Sequence, residues 1–486
     1  MDFGLKESRR RLCIAMPDNK LFDDLLTETM DRMTHCYQHI PTHFWAGRNA
    51  FNHRFDNLRQ MADRSTNARL KPRQAEQEIS NELMSTKRTA LYLGVPWCIQ
   101  SCSFCDLAYS RSPRAEEKRE YIEVILRELD IYNELGLNKV PASSLYFGGG
   151  TPSILDNELL ASLVDGTLQR SSLADNAVIT LEASPATLTD SKLKLLSSRV
   201  NRISLGVQST NTELRQREGR ILPREKLLDR VAATLDNFEL VNTDVLYGMP
   251  GQSLESVFQT LADLVSLNVP SITFYRNELF PGTKSYRLAQ QEPWPAIEEH
   301  AARQMYFLGK TYLESCGYSE NPLGWFVKNK QSNAISSWEN MIENWSTVVP
   351  YFGLGMGAFS TASAHWMQNS ESLDSWMQSI RGGRLPLAGG TLFNEQERFM
   401  VKFMRYIRVF SRVKREFLLT QSGSNRFAVE LLIESWKQMG LAVDEAEWVV
   451  FTPAGDSLIH WLIDDLAQAF VDGKIRSAKN ILAVNI

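Results

Sequence analysis

From residue 89 onward, short β-rich runs alternate with longer amphipathic stretches, and that alternation leaves few possible folds. The strand runs are TALYLGV (89–95), SLYFG (144–148), VITLE (178–182), RISLGVQ (202–208), NTDVLYG (242–248) and SITFY (271–275). Helical stretches fall between or after them, near 157–169, 190–198, 223–236, 254–267 and 296–315. A further one, 116–135, sets Tyr121, Val124, Ile125 and Leu129 on one stripe. Such alternation gives parallel strands joined by crossover helices. Six βα units are too few to close an eight-unit barrel. The expected fold is therefore α/β, a partial (β/α)6 TIM-like barrel, and its reactive groups should gather at the C-terminal ends of the strands.

The flanks read differently. Residues 1–88 are polar and helix-leaning, a helical leader suited to fold over the barrel mouth and exclude water. The barrel is expected over 89–362 and a C-terminal unit over 363–486. In the latter, NEQERFMVKFMRYIRVF and RFAVELLIESWKQMG read as helices, LAVDEAEWVVFTPAG as a hairpin and DSLIHWLIDDLAQAF as a closing helix, which suggests a winged-helix-like unit. Its last 96 residues hold 12 Lys/Arg and 12 Asp/Glu, too little basic excess to attract phosphate, so no nucleic-acid partner is expected. No run approaches the roughly 18 apolar residues of a membrane span, and no apolar stretch resembling a signal peptide follows the N-terminus. A cytoplasmic protein without a membrane partner is expected.

Three of the six cysteines crowd together as C-x3-C-x2-C just past the first strand: Cys98, Cys102 and Cys105. Three thiolates can hold three irons of a [4Fe–4S] cluster and leave the fourth open. An open iron can take the amino and carboxylate groups of S-adenosylmethionine (SAM). One electron then breaks the sulfur–carbon bond and yields a 5′-deoxyadenosyl radical. Zinc is the competing occupant, although zinc sites usually pair C-x2-C units or add histidine, and no histidine lies between His53 and His300.

Other residues at strand ends have suitable chemistry. Gly149, Gly150 and Thr151 form a turn whose backbone can approach a ligand closely, or that simply serves the chain as a turn. Glu182 can pair with an ammonium group, and Gln208 and Asp244 can bond ribose hydroxyls. Arg220 suits a bidentate carboxylate contact. Taken singly, each is also an ordinary polar residue at a strand end.

The segment LYLGVPWCIQSCSFCD resembles the signature of radical SAM enzymes, in the branch of oxygen-independent coproporphyrinogen III oxidase. FGGGTPSIL, LEASP, ISLGVQS, DVLYGMPGQS and FGLGMGAFS follow in the family's order. The resemblance implies that Gly149, Gly150, Thr151, Glu182, Gln208, Arg220 and Asp244 contact a first SAM, with Tyr92 beside it. It also implies a second SAM near Phe359, although Met341 stands where a glutamine is expected.

Within the branch, the oxidase usually carries a cysteine two residues after the third, where this chain has Leu107. The haem chaperones carry a cysteine/histidine motif where it reads SSWENMIENW. These departures point to class C methyltransferase-like members, which transfer a methyl or methylene group from the second SAM to an sp2 carbon, giving C-methylation or cyclopropanation. Coproporphyrinogen dehydrogenase, a haem-modifying enzyme and a haem chaperone are the alternatives. The resemblance implies an aromatic or natural-product substrate, a reductant such as flavodoxin or ferredoxin, and room for a partner methyltransferase. Tyr275, Arg276 and Glu278 stand where the substrate or second SAM should lie and are candidates for proton transfer. Six tryptophans between Trp294 and Trp376 could stack on an aromatic substrate or pack a core.

Overall fold

The computed structural model describes residues 19–40, 70–105, 110–111, 113–291, 296–321, 324–328, 342–344, 347–362 and 364–472. Six parallel strands match the sequence expectation: β1 (Thr89–Val95), β2 (Ala142–Gly149), β3 (Leu173–Ala183), β4 (Arg202–Gln208), β5 (Leu240–Tyr247) and β6 (Ser271–Arg276). Most of β1 and β4 is buried, which is why they read as nearly continuous apolar runs. Strands β7 (Tyr318–Asn321) and β8 (Trp325–Lys328) add antiparallel to β6.

Beyond β1 lies a seventh parallel strand, β9 (Tyr351–Leu354), followed by antiparallel β10 (Phe359–Thr361), β11 (His365–Asn369) and β12 (Leu387–Leu392). The sheet order is β12-β11-β10-β9-β1-β2-β3-β4-β5-β6-β8-β7. The sheet thus runs on to Leu392, past the expected domain boundary after residue 362.

The leader contributes α1 (Asn19–Tyr37) and α2 (Pro72–Ser85). The barrel helices are α3 (Ala115–Glu134), α4 (Asn157–Arg170), α5 (Asp190–Leu196), α6 (Thr212–Arg217), α7 (Arg224–Leu235), α8 (Leu254–Ser266), α9 (Lys284–Leu288) and α10 (Glu299–Ser315). Their starts follow capping chemistry. Asp156 accepts from Leu159 N–H at 2.9 Å, and Ser253 accepts from Ser256 N–H at 3.2 Å.

Helix α1 ends at Tyr37, whose hydroxyl lies 2.8 Å from Ser457 Oγ. It packs on the outer helices, with Phe22 against Phe258 of α8 at 5.4 Å and Arg32 paired to Glu314 of α10 at 2.7 Å.

After α11 (Leu373–Arg381), the C-terminal unit contains α12 (Glu395–Phe410), α13 (Arg415–Gln421), α14 (Arg426–Gln438), α15 (Pro453–Ser457) and α16 (Ile459–Asp472). A three-stranded sheet joins β13 (Arg412–Lys414), β14 (Ala442–Glu445) and β15 (Trp448–Phe451). This unit has its own core, including Met400, Ile407, Trp436 and Leu462. Among the described residues, no helix is long and apolar enough to cross a membrane.

Candidate active site

Cys98 ends a two-residue strand, Trp97–Cys98, that pairs with Ser110–Arg111. Cys102 and Cys105 follow on one turn, closed by Cys105 N–H donating to the Cys102 carbonyl at 3.2 Å. All three thiols are half-buried. Burial pushes the Cys98 thiol up, and Thr151 opposes the rise with its hydroxyl 3.3 Å from the sulfur.

Neighbouring loops clamp the cysteine loop. Ser103 N–H donates to the Glu218 carbonyl at 3.4 Å, and Ser285 N–H donates to the Ser103 carbonyl at 2.8 Å. Gly219, at φ +84°, lies so close that a Cβ would stand 2.9 Å from the Ser101 carbonyl oxygen. Among the described residues, no three His, Cys, Asp or Glu side chains converge as ligands of one ion. A cubane needs thiols set around a space, one to each of three irons.

The glycine turn is packed into place. A Cβ on Gly148 would come within 2.9 Å of Glu182 Oε2 and of the Tyr92 ring, and one on Gly150 within 2.6 Å of the Trp97 carbonyl. Gly149 has φ +104°. The structural demand for glycine is therefore strong here, and the same closeness brings the backbone to the cysteine loop.

Glu182 sits deep in the barrel. Tyr146 donates to it at 2.6 Å, and the Gly149 N–H also bonds it. Burial raises its carboxyl to about 7, and the Asp244 carboxyl adds to the rise. No ion pair to Glu182 occurs among the described residues. Asp244 accepts from Asn242 at 2.9 Å and from Ser204 at 3.2 Å, and burial raises it too, against the pull of Arg202.

At the end of β4, Gln208 adopts φ +67°, a left-handed conformation that is uncommon outside glycine. The ladder to β5 shifts register there. Buried Arg215 of α6 holds this bulge, bonding the carbonyls of Val207 at 2.7 Å, Ser209 at 3.0 Å and Leu222 at 3.1 Å. Arg220 bonds the Gly206 carbonyl and lies 5.9 Å from the Phe104 ring, while its buried Nε finds no partner among the described residues.

Phe359, 36% exposed, begins a row of rings. It lies 5.4 Å from Tyr351, which lies 6.1 Å from Tyr92, itself 6.1 Å from Tyr146. The glycine loop before Phe359 hangs on Glu128, a fully buried carboxyl of α3. Gly355 N–H donates to it at 2.8 Å, Asn369 at 2.7 Å and Trp376 at 3.0 Å, and burial raises it to about 7. Met341 lies outside the described residues, as do Trp294, Trp338 and Trp345. Of the other tryptophans, Trp366 and Trp376 are core residues.

Tyr275, Arg276 and Glu278 line a cavity of about 70 Å³ between the end of β6 and the C-terminal unit. The Tyr275 hydroxyl reaches Gln208 Oε1 at 3.5 Å, so this cavity adjoins the strand-end cluster. Arg276 is paired with Glu299, which also holds Arg303 at 2.6 Å. Arg276 thus serves the wall, leaving Tyr275 and Glu278 as candidates for proton transfer.

Sequence reasoning missed Tyr146, Glu128 and Arg215. Glu128 carried one signal, a charged residue among Val124, Ile125, Ile131 and Tyr132 on the apolar face of α3.

The three thiols, Glu182 with no ion pair among the described residues, the Arg220 Nε and the close glycine backbone together fit a cluster with SAM beside it. Comparison with known proteins gives the family and the fold. Residues 92–264 match the model of the radical SAM superfamily. The chain is 31% identical over 273 residues to the heme chaperone HemW of Escherichia coli K12, covering 55% of this chain and 69% of that one. It is 24% identical over 385 residues to HemW of Buchnera aphidicola, covering 77% and 97%. Its fold is similar to that of coproporphyrinogen III oxidase (HemN) from E. coli, with a TM-score of 0.72, 19% identity, and coverage of 82% and 93%.

Proposed function

Because this chain belongs to the radical SAM superfamily, in the branch of HemW and oxygen-independent coproporphyrinogen III oxidase, we propose that it cleaves SAM reductively at the barrel mouth and directs the radical onto a small molecule enclosed by the C-terminal unit. The observation that carries this reading is the gathering of Glu182 on β3, Gln208 at the end of β4, Asp244 on β5 and Arg220, bonded to the Gly206 carbonyl of β4, beside the glycine turn and Cys98. When bound, the cluster supplies the electron that breaks the sulfonium bond.

The chain's own residues do the rest. Cys98, Cys102 and Cys105 hold the cluster, and Thr151 steadies the Cys98 sulfur. Glu182 takes an ammonium group and is oriented by Tyr146. Arg220 offers its Nε to a carboxylate, and Gln208 and Asp244 offer acceptors to ribose hydroxyls. The C-terminal unit, closing over the cavity beside β6, limits water at the reacting carbon.

Two finer readings follow. Methyl or methylene transfer from a second SAM is supported by the ring row from Phe359 to Tyr92, which would place a second ligand beside the first. Tetrapyrrole chemistry, with haem or a porphyrinogen as substrate or cargo, is supported by the names of the relatives. SAM deuterated at its methyl separates them. Under methylene transfer, deuterium enters 5′-deoxyadenosine during turnover. Productive turnover without that label rejects the transfer reading.

A further inference from the structure

The cavity between β6 and α15 is walled mainly by groups that answer one another. Arg276 and Arg303 share Glu299, and Arg303 also bonds the Ser457 carbonyl. Tyr306 donates to Glu320 at 2.8 Å, and Lys310 is paired with Glu320. Arg303 lies 4.8 Å from the Trp461 ring. Asp456 of α15 differs: no ion pair reaches it among the described residues, and Ser411 is a hydrogen-bonding neighbour without charge. A buried carboxylate without a counter-charge is costly, so a cationic group that pairs with it recovers a large favourable term.

The charge of the wall selects that group. Arg276 and Arg303 line the cavity with Glu278, Glu320 and Asp456, so the lining carboxyls outnumber the lining cations. An incoming carboxylate meets net repulsion, and an ammonium meets attraction. About 70 Å³ is several times the space that one water needs, enough for a cationic head and its first carbons.

We infer that this cavity is a binding site for the ammonium-type nitrogen of the substrate, with Asp456 as its counter-charge. The site is contiguous with the radical chemistry through Tyr275, which lines the cavity and reaches Gln208. The inference rests on the proposed enclosure of substrate between the barrel mouth and the C-terminal unit. Titration supports it. Burial raises Asp456 to about 7, Glu320 adds to the rise, and Ser411 and Lys310 oppose it. Tyr306 and Arg303 on α10, Tyr247 at the end of β5, Tyr275 and Arg276 at the end of β6 and Glu278 beyond it are the other charged and titratable groups of the lining. A bound cation should draw the Asp456 proton off, so cation affinity should rise with pH until Asp456 is ionised.

The test uses full-length, cluster-loaded protein under anaerobic conditions, titrated with n-butylammonium, n-butanol and butyrate and followed by ligand-observed NMR. Butylammonium should bind the native protein at least tenfold more tightly than it binds Asp456→Asn, and more tightly than butyrate binds the native protein. Its affinity for the native protein should rise several-fold from pH 6 to pH 8, which tests the inference even if the variant fails to fold. Equal affinity in Asp456→Asn, a pH-independent affinity, or preference for butyrate overturns it. 5′-Deoxyadenosine formation with dithionite in the same samples reports on SAM cleavage separately, so failure of the amine site is distinguishable from failure of the radical reading.

Discussion

Glu182 offers a test in which stability and ligand affinity move in opposite directions. Its carboxyl is raised from the ordinary 4.5 to about 7, chiefly by burial. Below pH 4.5 both the folded and unfolded states carry the proton. As pH rises from 4.5 to 7 the unfolded chain loses the proton and the folded protein keeps it, so stability falls through that window and stays low above it. Each pH unit of displacement is worth about 1.4 kcal/mol, so above pH 7 the SAM-free protein carries a penalty of about 3 kcal/mol. Glu182→Gln removes that penalty and weakens the bond from Tyr146, a loss of about 1 kcal/mol. The SAM-free variant should therefore be about 2 kcal/mol more stable than native at pH 8 in denaturant unfolding.

Binding should go the other way. Losing a charge-assisted bond to the SAM ammonium costs about 1.5–3 kcal/mol, or roughly 10- to 150-fold in Kd. Native affinity should also rise about tenfold per pH unit between pH 5 and pH 7 as the carboxyl ionises, and the variant should lack that slope. Anaerobic equilibrium dialysis with labelled SAM measures both. A glutamine variant that binds SAM as tightly as native, or keeps the slope, refutes the ammonium role.

Replacing Cys98, Cys102 and Cys105 with alanine should abolish the broad visible absorbance of the reconstituted protein and 5′-deoxyadenosine formation; retention of both would remove the cluster assignment. Arg220→Ala should raise the Kd for SAM by about tenfold or more, read by the same dialysis, with unchanged affinity counting against a carboxylate contact. Gly324→Ala should destabilise by at least about 2 kcal/mol, because Gly324 has φ +78° and its Cβ would stand 2.1 Å from the Phe274 carbonyl oxygen. A melting temperature within a degree of native would contradict that packing.

The parallel strands were legible because strands buried on both faces write themselves as apolar runs with turn residues at their ends, as TALYLGV and RISLGVQ do. Strand β9 was not. YFGL is four residues long and runs into glycines, so it reads as a loop until its neighbour β1 is known. The motif residues at strand ends were legible from chemistry plus position. The left-handed turn at Gln208 was not, because glutamine carries no signature of positive φ and the conformation is imposed by Arg215 gripping the carbonyls around it. Nothing in the local sequence of Asp456 or Arg303 marks them as cavity residues, and the Ser457 carbonyl that Arg303 bonds lies 154 residues away in the chain. The leader's docking on α8 and α10 depends on scattered residues such as Phe22 and Arg32, which nothing in their local sequence sets apart.

The pairing of β1 with β9 also bears on biogenesis. Roughly 250 residues must leave the ribosome after β1 before its second neighbour exists, and contacts of such long range form late. Throughout that interval β1 presents a naked hydrogen-bonding edge, and the thiols just after it sit on an unfinished wall. Iron loading and protection from aggregation are thereby tied to completion of the chain, so nascent protein stalled before residue 351 should need a chaperone's cover.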